Sequence, residues 1–361
     1  MNRTVELHDL GQSLWLDNIS RQILDDGTLR RYIDEFSITG LTSNPTIFQQ
    51  ALANTSAYDA SLRTHSASQL SGEATFIELA LEDLRRAADL FQPIFEETRG
   101  VDGWVSMEVS PLLARDTQGS IDAARRIHRQ AARPNLHVKI PGTAEGVPAI
   151  EEAIIAGVPI NVTLLFSPKH YEAAAEAYLR GIERRIALGL DPKIRSVASL
   201  FISRWDKAVL DKVPTDLHNR LGIAVGAQAY RSYRTILASP RWKRLEAAGA
   251  VPQRLLWAST GTKDPTARDT LYVEAFAVPD TIDTMPEKTL HAFADHGELG
   301  RASVEDIEAA DALIREFAGR GIDVDDLAAA LQKEGAEAFV TSWNKLMQQI
   351  EDKQHILAAS V

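Results

Sequence analysis

Short runs with β-strand character alternate with long helical stretches along most of the 361-residue chain. Eight runs are predicted strands, at residues 14–17, 38–44, 104–110, 136–141, 159–166, 196–203, 254–261 and 280–285. Helical patterns lie between them, as at residues 75–97, 120–133 and 168–188. Strands separated by helices are typical of a parallel sheet. The alternation therefore predicts either a closed eight-stranded barrel or a doubly wound open sheet.

The two faces of the predicted strands separate these two layouts. In the run at 136–141, three apolar side chains share one face, and His137 and Lys139 lie on the other. An open sheet covered by helices on both sides needs two apolar faces. A barrel is covered by helices only outside and can collect polar groups inside, near the carboxyl ends of its strands. The sequence therefore predicts an α/β fold, a (β/α)8 TIM barrel.

The C-terminal tail continues the helical pattern beyond the last predicted strand. Residues 302–357 predict three amphipathic helices, with breaks near 319–321 and 332–335. Apolar residues repeat at spacings of three and four in the last of them, which is typical of a helix docked by one face. We expect residues 1–361 to form a single barrel domain, with 302–361 as a helical extension packed on the barrel.

Composition excludes several classes of function. A formal net charge of −11 argues against nucleic acid or an anionic membrane as partner, but not against small anionic substrates. No apolar run approaches the roughly 20 residues that cross a bilayer, and the N-terminus lacks the apolar core of a signal peptide. The chain has no cysteine, which fits a reducing compartment, so we expect a cytoplasmic protein. No metal-ligand spacing or glycine-rich nucleotide motif occurs, and we expect no metal ion and no cofactor.

Lys139 is the only lysine among the first 168 residues, which contain 13 arginines. It lies in the middle of an apolar predicted strand. Burial disfavours the charged form of an amine, which makes the free nucleophile accessible. The alternative is a lysine that reaches outward to solvent or pairs with a buried carboxylate. From the pattern alone, both interpretations stand.

Polar side chains occur near the carboxyl ends of other predicted strands. They are Asp17, Asn44, Glu108, Asn161 and Thr163. Two carboxylates, a lysine and hydrogen-bonding groups around one barrel mouth can move protons at a carbonyl. Asn44, followed by Pro45, equally suits the N-cap of a helix. Glu108 is harder to explain without a function, because an inward-facing glutamate needs a partner or a catalytic role.

A cationic cluster is predicted where the sixth and seventh strands end. Its members are Ser199, Arg204, Ser259 and Lys263. Hydroxyl groups beside two cations suit a phosphate group, and barrels frequently bind phosphate close to the seventh strand. The alternative is that Arg204 pairs with Asp206 or Asp211 on a helix surface.

Six segments of the chain resemble the transaldolase family. They are LWLDNI at 14–19, GLTSNPTIF at 40–48, VKIPGT at 138–143, INVTLLF at 160–166, WASTGTK at 257–263 and DTIDTMP at 280–286. The resemblance runs from the first strand to the eighth. It implies a transferase of the pentose phosphate pathway, which moves a dihydroxyacetone unit from sedoheptulose 7-phosphate or fructose 6-phosphate to glyceraldehyde 3-phosphate or erythrose 4-phosphate.

The resemblance also implies catalytic roles for four residues. Lys139 would form a Schiff base with the ketose carbonyl, and Asp17 would take the proton of the C4 hydroxyl as the C3–C4 bond breaks. Glu108 and Thr163 would hold and activate the water used in imine formation and hydrolysis.

Substrate contacts are implied for six further residues. They are Asn44, Asn161, Ser199, Arg204, Ser259 and Lys263. The asparagines would bind substrate hydroxyls and orient the lysine, and Arg204 and Ser259 would hold the phosphate. Many family members have an arginine two residues after the serine of the seventh strand, where this chain has Gly261. Lys263 is the candidate replacement, although lysine lacks the two-pronged geometry of arginine.

Two alternatives to a transaldolase remain. An enzyme of the fructose-6-phosphate aldolase type would use the same barrel and Schiff base but release free dihydroxyacetone. Such relatives carry glutamine where Glu108 stands, which favours transfer. A non-catalytic barrel that binds sugar phosphates would need no nucleophile. The expected partners are sugar-phosphate substrates, and a homo-oligomer stays open.

Overall fold

The computed structural model describes residues 2–53, 55–67, 71–300, 304 and 307–358. Eight parallel strands close a barrel in the order β1 to β8. Their bounds are Ser13–Leu16, Ile38–Leu41, Trp104–Glu108, Leu136–Pro141, Ile160–Leu165, Ser196–Phe201, Gln253–Ala258 and Ile282–Met285. The predicted (β/α)8 TIM barrel is therefore confirmed, and the doubly wound open sheet is wrong.

Helices α1 to α16 connect and cover these strands in the described part of the chain. Their bounds are Arg3–Asp9, Arg21–Asp25, Thr28–Phe36, Pro45–Ala53, Asp59–Ala67, Gly72–Glu97, Thr117–Ala131, Gly146–Ile155, Pro168–Ala187, Ser203–Val209, Leu221–Ala238, Pro240–Ala247, Leu271–Ala275, Glu287–His296, Ile307–Gly319 and Val324–Ala358. Side-chain caps begin several of them. Ser167, for example, accepts from the backbone N–H of His170 and is followed by proline at the first position of α9.

Strand faces divide as the alternation of apolar and polar residues predicts. The outward side chains of β4 pack in the apolar layer between barrel and helices. Inside, the His137 ring lies 4.0 Å from that of Trp104 and 6.0 Å from that of Trp15, measured between ring centroids. Burial first, and then Arg195, lower the pKa of His137 to about 3, so the ring packs as a neutral aromatic. The barrel interior below Lys139 is thus a packed core.

Several strands end earlier than predicted. β2 stops at Leu41 instead of residue 44, and β6 and β7 stop two and three residues before their predicted ends. The ladder ends because the chain turns into the next element: the Asn44 side chain accepts from Ile47 N at 3.1 Å and caps α4. Asp17, Asn44, Ser259 and Lys263 therefore lie on the turns just beyond the strands, where parallel barrels carry many of their functional groups.

The tail forms two described helices, α15 and α16, instead of three. The predicted break at 319–321 is confirmed, whereas the break at 332–335 is wrong because α16 continues through it. Gly335 is a point of close approach: a Cβ atom there would lie 2.9 Å from Leu164 Cδ2. Of the predicted start, residues 302, 303, 305 and 306 lie outside the described residues.

None of the helices described here has the length and apolar character required to span a membrane.

Candidate active site

A cavity of about 230 Å³ opens at the carboxyl ends of the strands. Eight of the ten predicted site residues line it: Asp17, Asn44, Lys139, Thr163, Ser199, Arg204, Ser259 and Lys263. The other two, Glu108 and Asn161, are buried beside it and do not line it. The structure thus brings residues from seven strands, or from the turns after them, to one mouth of the barrel.

Lys139 lies inside the barrel with 5% of its surface exposed. Its Nζ donates to the carbonyl oxygen of Ser43 at 3.0 Å. In register it stands beside Glu108 of β3 and Asn161 of β5. It forms no ion pair with any residue in the described ranges and does not reach solvent outside the barrel, so neither alternative interpretation holds. A buried amine in a cavity is suitably placed to attack a carbonyl.

Two carboxyl groups, those of Asp17 and Glu108, interact electrostatically with Lys139. Burial raises the pKa of Asp17, against the opposing effects of Lys139, a hydrogen bond from Thr42 and Lys263. Burial raises the pKa of Glu108 to about 7, opposed by Lys139 and reinforced by Asp17. With a pKa of about 7, Glu108 can exchange protons with substrate or water near pH 7.

Thr163 ends the regular part of β5. Its Oγ1 is buried and has no hydrogen-bond partner among the described residues, as is also true of Glu108 Oε2. The next residue, Leu164, has φ of 58°, and the pairing of β5 with β6 shifts between Val162 and Leu165. A leucine in this left-handed conformation costs on the order of 1–3 kcal/mol and persists only where its surroundings hold it.

Asn161 is buried next to the cavity and does not line it. Its Nδ2 donates to Ser106 Oγ at 3.2 Å, and its Oδ1 accepts from Ser199 Oγ at 2.7 Å. It is fully buried. In this arrangement its polar atoms connect β3, β5 and β6 beside Lys139, its register partner on β4.

The cationic cluster forms at the ends of β6 and β7. Ser203 Oγ and Ser259 Oγ share a hydrogen bond of 2.9 Å, which joins the two turns. Arg204 forms no ion pair in the described ranges; Asp206 instead accepts from the backbone N–H groups that begin α11. Burial, then Arg204 itself, lower the pKa of Lys263, against the effect of Asp17. Because the positive charges of Arg204 and Lys263 repel each other, a bound dianion would stabilise both.

The sequence analysis did not name several residues that line the cavity, among them Thr42, Thr284 and Phe339. Thr42 Oγ1 donates to Asp17 Oδ1 at 2.8 Å and shares a 2.7 Å hydrogen bond with Thr284 Oγ1. Phe339 of α16 lines the opening, although its spacing indicated only a docked helix. Thr42 could have been suspected from its place between strand and cap in GLTSNP, but no pattern in the tail could link Phe339 to the cavity.

In the described part of the chain, no group of three or more His, Asp and Glu side chains is arranged to hold a metal ion.

Comparisons with known proteins agree with this geometry. A family model described as Transaldolase/Fructose-6-phosphate aldolase matches residues 14–350. Transaldolase of Thiobacillus denitrificans is 44% identical over 358 residues, 97% of this chain and 100% of the relative. Transaldolase of Renibacterium salmoninarum is 42% identical over 97% of this chain and 96% of the relative, and Transaldolase 2 of Nostoc punctiforme is 38% identical over 99% of both. Because the similarity covers the whole barrel and the C-terminal helix, the chain belongs to the transaldolase/fructose-6-phosphate aldolase family.

Proposed function

We propose that the protein is a transaldolase that moves a dihydroxyacetone unit between sugar phosphates of the pentose phosphate pathway. The donors would be sedoheptulose 7-phosphate and fructose 6-phosphate, and the acceptors glyceraldehyde 3-phosphate and erythrose 4-phosphate. The observation that carries the proposal is Lys139, buried in register beside Glu108 and sharing one cavity with Asp17. The names of the relatives at 38–44% identity support the same activity.

The reaction would begin with imine formation. Lys139 Nζ attacks the ketose carbonyl, and the carbonyl oxygen leaves as water after protons are supplied to it. Glu108 suits this proton transfer because its pKa of about 7 allows it to give and to take a proton. Thr163 Oγ1 could hold the same water, since its hydroxyl has no other partner in the described ranges.

Cleavage would follow from the protonated imine, which accepts electrons. Asp17 takes the proton of the C4 hydroxyl, the C3–C4 bond breaks, and its electron pair passes into the imine to give an enamine on Lys139. The aldehyde leaves, and the enamine attacks an acceptor aldehyde by the reverse steps. Water then hydrolyses the new imine and frees the lysine. The hydrogen bond from Thr42 would orient Asp17 for this task.

Binding of the phosphate is assigned to Arg204, Ser259 and Lys263, which line one end of the cavity. Their support is electrostatic: the two cations carry no carboxylate partner in an ion pair among the described residues, and a phosphate would supply the missing negative charge. Asn44 and Ser199 line the same cavity and would contact substrate hydroxyls, whereas Asn161 would act through its hydrogen bond with Ser199.

We also propose that residues 1–361 act as one barrel domain in the cytoplasm. The contacts of α16 support a single unit, because Lys353 Nζ donates to Thr55 O and Thr46 Oγ1 donates to Ser342 Oγ. The cytoplasmic location is proposed because phosphorylated sugars are metabolites of that compartment.

Borohydride trapping with fructose 6-phosphate tests the proposed function. Reduction of the imine should fix a sugar-derived adduct on Lys139 of the wild-type protein, located by peptide mass mapping. Lys139→Ala should abolish both trapping and transfer, whereas Lys169→Ala, which removes an exposed lysine, should retain both. Undiminished trapping in the Lys139 variant would place the nucleophile elsewhere. Release of free dihydroxyacetone as fast as transfer would instead favour the aldolase type.

A further inference from the structure

The C-terminal helix α16 reaches the ends of two catalytic strands through one side chain. Gln332 Nε2 donates to the carbonyl oxygen of Gly142 at 3.0 Å and to that of Leu164 at 2.9 Å. Gly142 lies three residues after Lys139, and Leu164 directly follows Thr163. One amide therefore connects the turn after β4 to the end of β5.

Leu164 has a strained backbone conformation at this end of the barrel. Its φ of 58° is unusual for a residue with a side chain, and it lies where the pairing of β5 with β6 is irregular. The Gly142 N–H also donates to Thr163 O at 2.8 Å. The turn after β4 and the end of β5 are therefore joined by this backbone hydrogen bond as well as through Gln332. A conformation of this kind persists only when several contacts hold it.

The same helix also holds the Leu164 side chain. Any Cβ at Gly335, three residues after Gln332, would approach Leu164 Cδ2 to 2.9 Å and the Phe166 ring to 3.7 Å. Leu331 and Phe339 of α16 belong to the same buried cluster as Leu164. Helix α16 therefore contacts both the carbonyl and the side chain of the residue that follows Thr163.

We propose that Gln332 is a positioning residue for the imine chemistry: by holding the Leu164 and Gly142 carbonyls, it fixes the direction of Thr163 Oγ1 relative to Lys139. This inference rests on the proposed function. Gln332 does not touch the reacting atoms; it acts through the backbone of Leu164. The chemistry it serves is the exchange of water at the carbonyl carbon, the step assigned to Thr163 and Glu108, and not cleavage of the C3–C4 bond.

Gln332→Met tests the proposal, because methionine is similar in length and removes only the two donated hydrogen bonds. Gln348→Met is the matched control on an exposed turn of the same helix, where the glutamine donates to Asp352. The rate of borohydride-trapped adduct formation with fructose 6-phosphate is measured in a single turnover. We expect Gln332→Met to slow it roughly ten- to hundredfold, as a misplaced catalytic group does. KM should change little, since the phosphate contacts are untouched.

A second variant distinguishes the loss of the Gln332 hydrogen-bond donors from a change in the volume of the side chain. Gln332→Lys offers three N–H donors to the same carbonyls and should recover much of the lost rate. Thermal unfolding is followed for all variants, so that a loss of helix docking is recognised by a lower midpoint in Gln332→Met than in Gln348→Met.

Each outcome bears on the proposal. Slow imine formation in Gln332→Met, with recovery in Gln332→Lys and a wild-type rate in Gln348→Met, supports it. A wild-type rate in Gln332→Met overturns it, and so does an equal loss in the methionine and lysine variants. A wild-type protein that forms no trapped adduct would refute the proposed function itself.

Discussion

Asp17 and Glu108 share the field of Lys139 but differ in their hydrogen bonds. Asp17 Oδ1 accepts from Thr42, and Lys263 adds a second cation to its surroundings. Glu108 Oε2 has no partner among the described groups, and its pKa is about 7. Burial raises the pKa of both carboxyl groups, but at Asp17 two cations and the Thr42 hydrogen bond oppose the rise, which favours a group that removes a hydroxyl proton. A carboxyl group that titrates near neutrality, as Glu108 does, suits exchange of protons with water. The two groups therefore suit different steps of the proposed reaction.

Asp17→Ala separates these steps. If Asp17 only deprotonates the C4 hydroxyl, Lys139 should still condense with the ketose in the variant. Cleavage should fall by roughly 10²–10⁴-fold, the effect of a positioned general base. Borohydride reduction followed by intact mass measurement should then find the whole ketose phosphate on the variant. The wild-type protein should carry the three-carbon fragment after the aldehyde leaves.

Asp17→Asn keeps the acceptor for Thr42 and serves as the matched variant, which should behave like alanine because it also lacks the base. Mainly three-carbon adduct in these variants would contradict the assignment and indicate Glu108 as the cleavage base.

At the scale of elements, the ends of β6 and β7 act together. The hydrogen bond between Ser203 and Ser259 joins the two turns, and Ser259 itself has φ of 58°. Burial lowers the pKa of Arg204, against the effect of Glu334 on α16, and burial and Arg204 lower the pKa of Lys263. Neither turn alone carries both cations of the proposed phosphate site; the pairing of the strands brings Arg204 and Lys263 together.

Lys263→Ala or Arg204→Ala should mainly raise KM for phosphorylated substrates. A charge-assisted contact contributes about 1.5–3 kcal/mol, which corresponds to a roughly ten- to hundredfold effect. Unphosphorylated sugars should lose far less. Lys207→Ala removes an equal charge from an exposed position outside the cavity and should have a small effect on KM. Steady-state kinetics with both kinds of sugar measures this. Equal losses for both would show that these residues do not recognise phosphate.

At the scale of the whole molecule, one buried carboxyl group outside the site bears on stability. Asp283 of β8 is fully buried and lies in register between Trp257 of β7 and Leu14 of β1. Its Oδ1 accepts from Thr260 Oγ1 at 2.9 Å, and its Oδ2 has no partner in the described ranges. Burial raises its pKa to about 7, against the effect of the Thr260 hydrogen bond. In the folded barrel, the protonated form of Asp283 is therefore preferred below about pH 7.

The pH dependence of unfolding follows from this shift. An aspartate in the unfolded chain has a pKa of about 3.9, whereas that of Asp283 in the folded chain is about 7. Between about pH 4 and pH 7, the folded chain therefore holds a proton that the unfolded chain has already lost. The contribution of Asp283 to the free energy of unfolding therefore falls as pH rises through this window and is constant above it. The asparagine in Asp283→Asn cannot ionise, so this variant should lack up to about 4 kcal/mol of the decrease in the free energy of unfolding over this pH range.

Urea denaturation across this pH range measures the effect, with the exposed Asp211→Asn as control. The control should follow the wild-type curve. If Asp283→Asn follows it as well, Asp283 does not bind the extra proton in the folded chain.

Features that depend on local backbone geometry could be predicted from the sequence. The alternation of strands and helices, the two faces of β4 and the inward position of Lys139 follow from side-chain periods of about 2 and 3.6 residues. The candidate site could be named for the same reason, because the carboxyl ends of barrel strands meet at one mouth. The roles of these residues stay predictions until the experiments above are done.

Other features depended on contacts between distant parts of the chain. The sequence around Gly335 predicted a helix break, but α16 continues through it. The glycine serves packing instead, because the absence of a side chain there leaves room for Leu164. The substrate contact predicted for Asn161 stays a prediction, whereas its hydrogen bonds with Ser106 and Ser199 could be seen only in the structure. Periodicity is a property of neighbouring residues, whereas these partners are set by how the barrel closes and where the last helix docks. The sequence by itself determined the barrel and its inward lysine, and only the tertiary structure decided which groups surround that lysine.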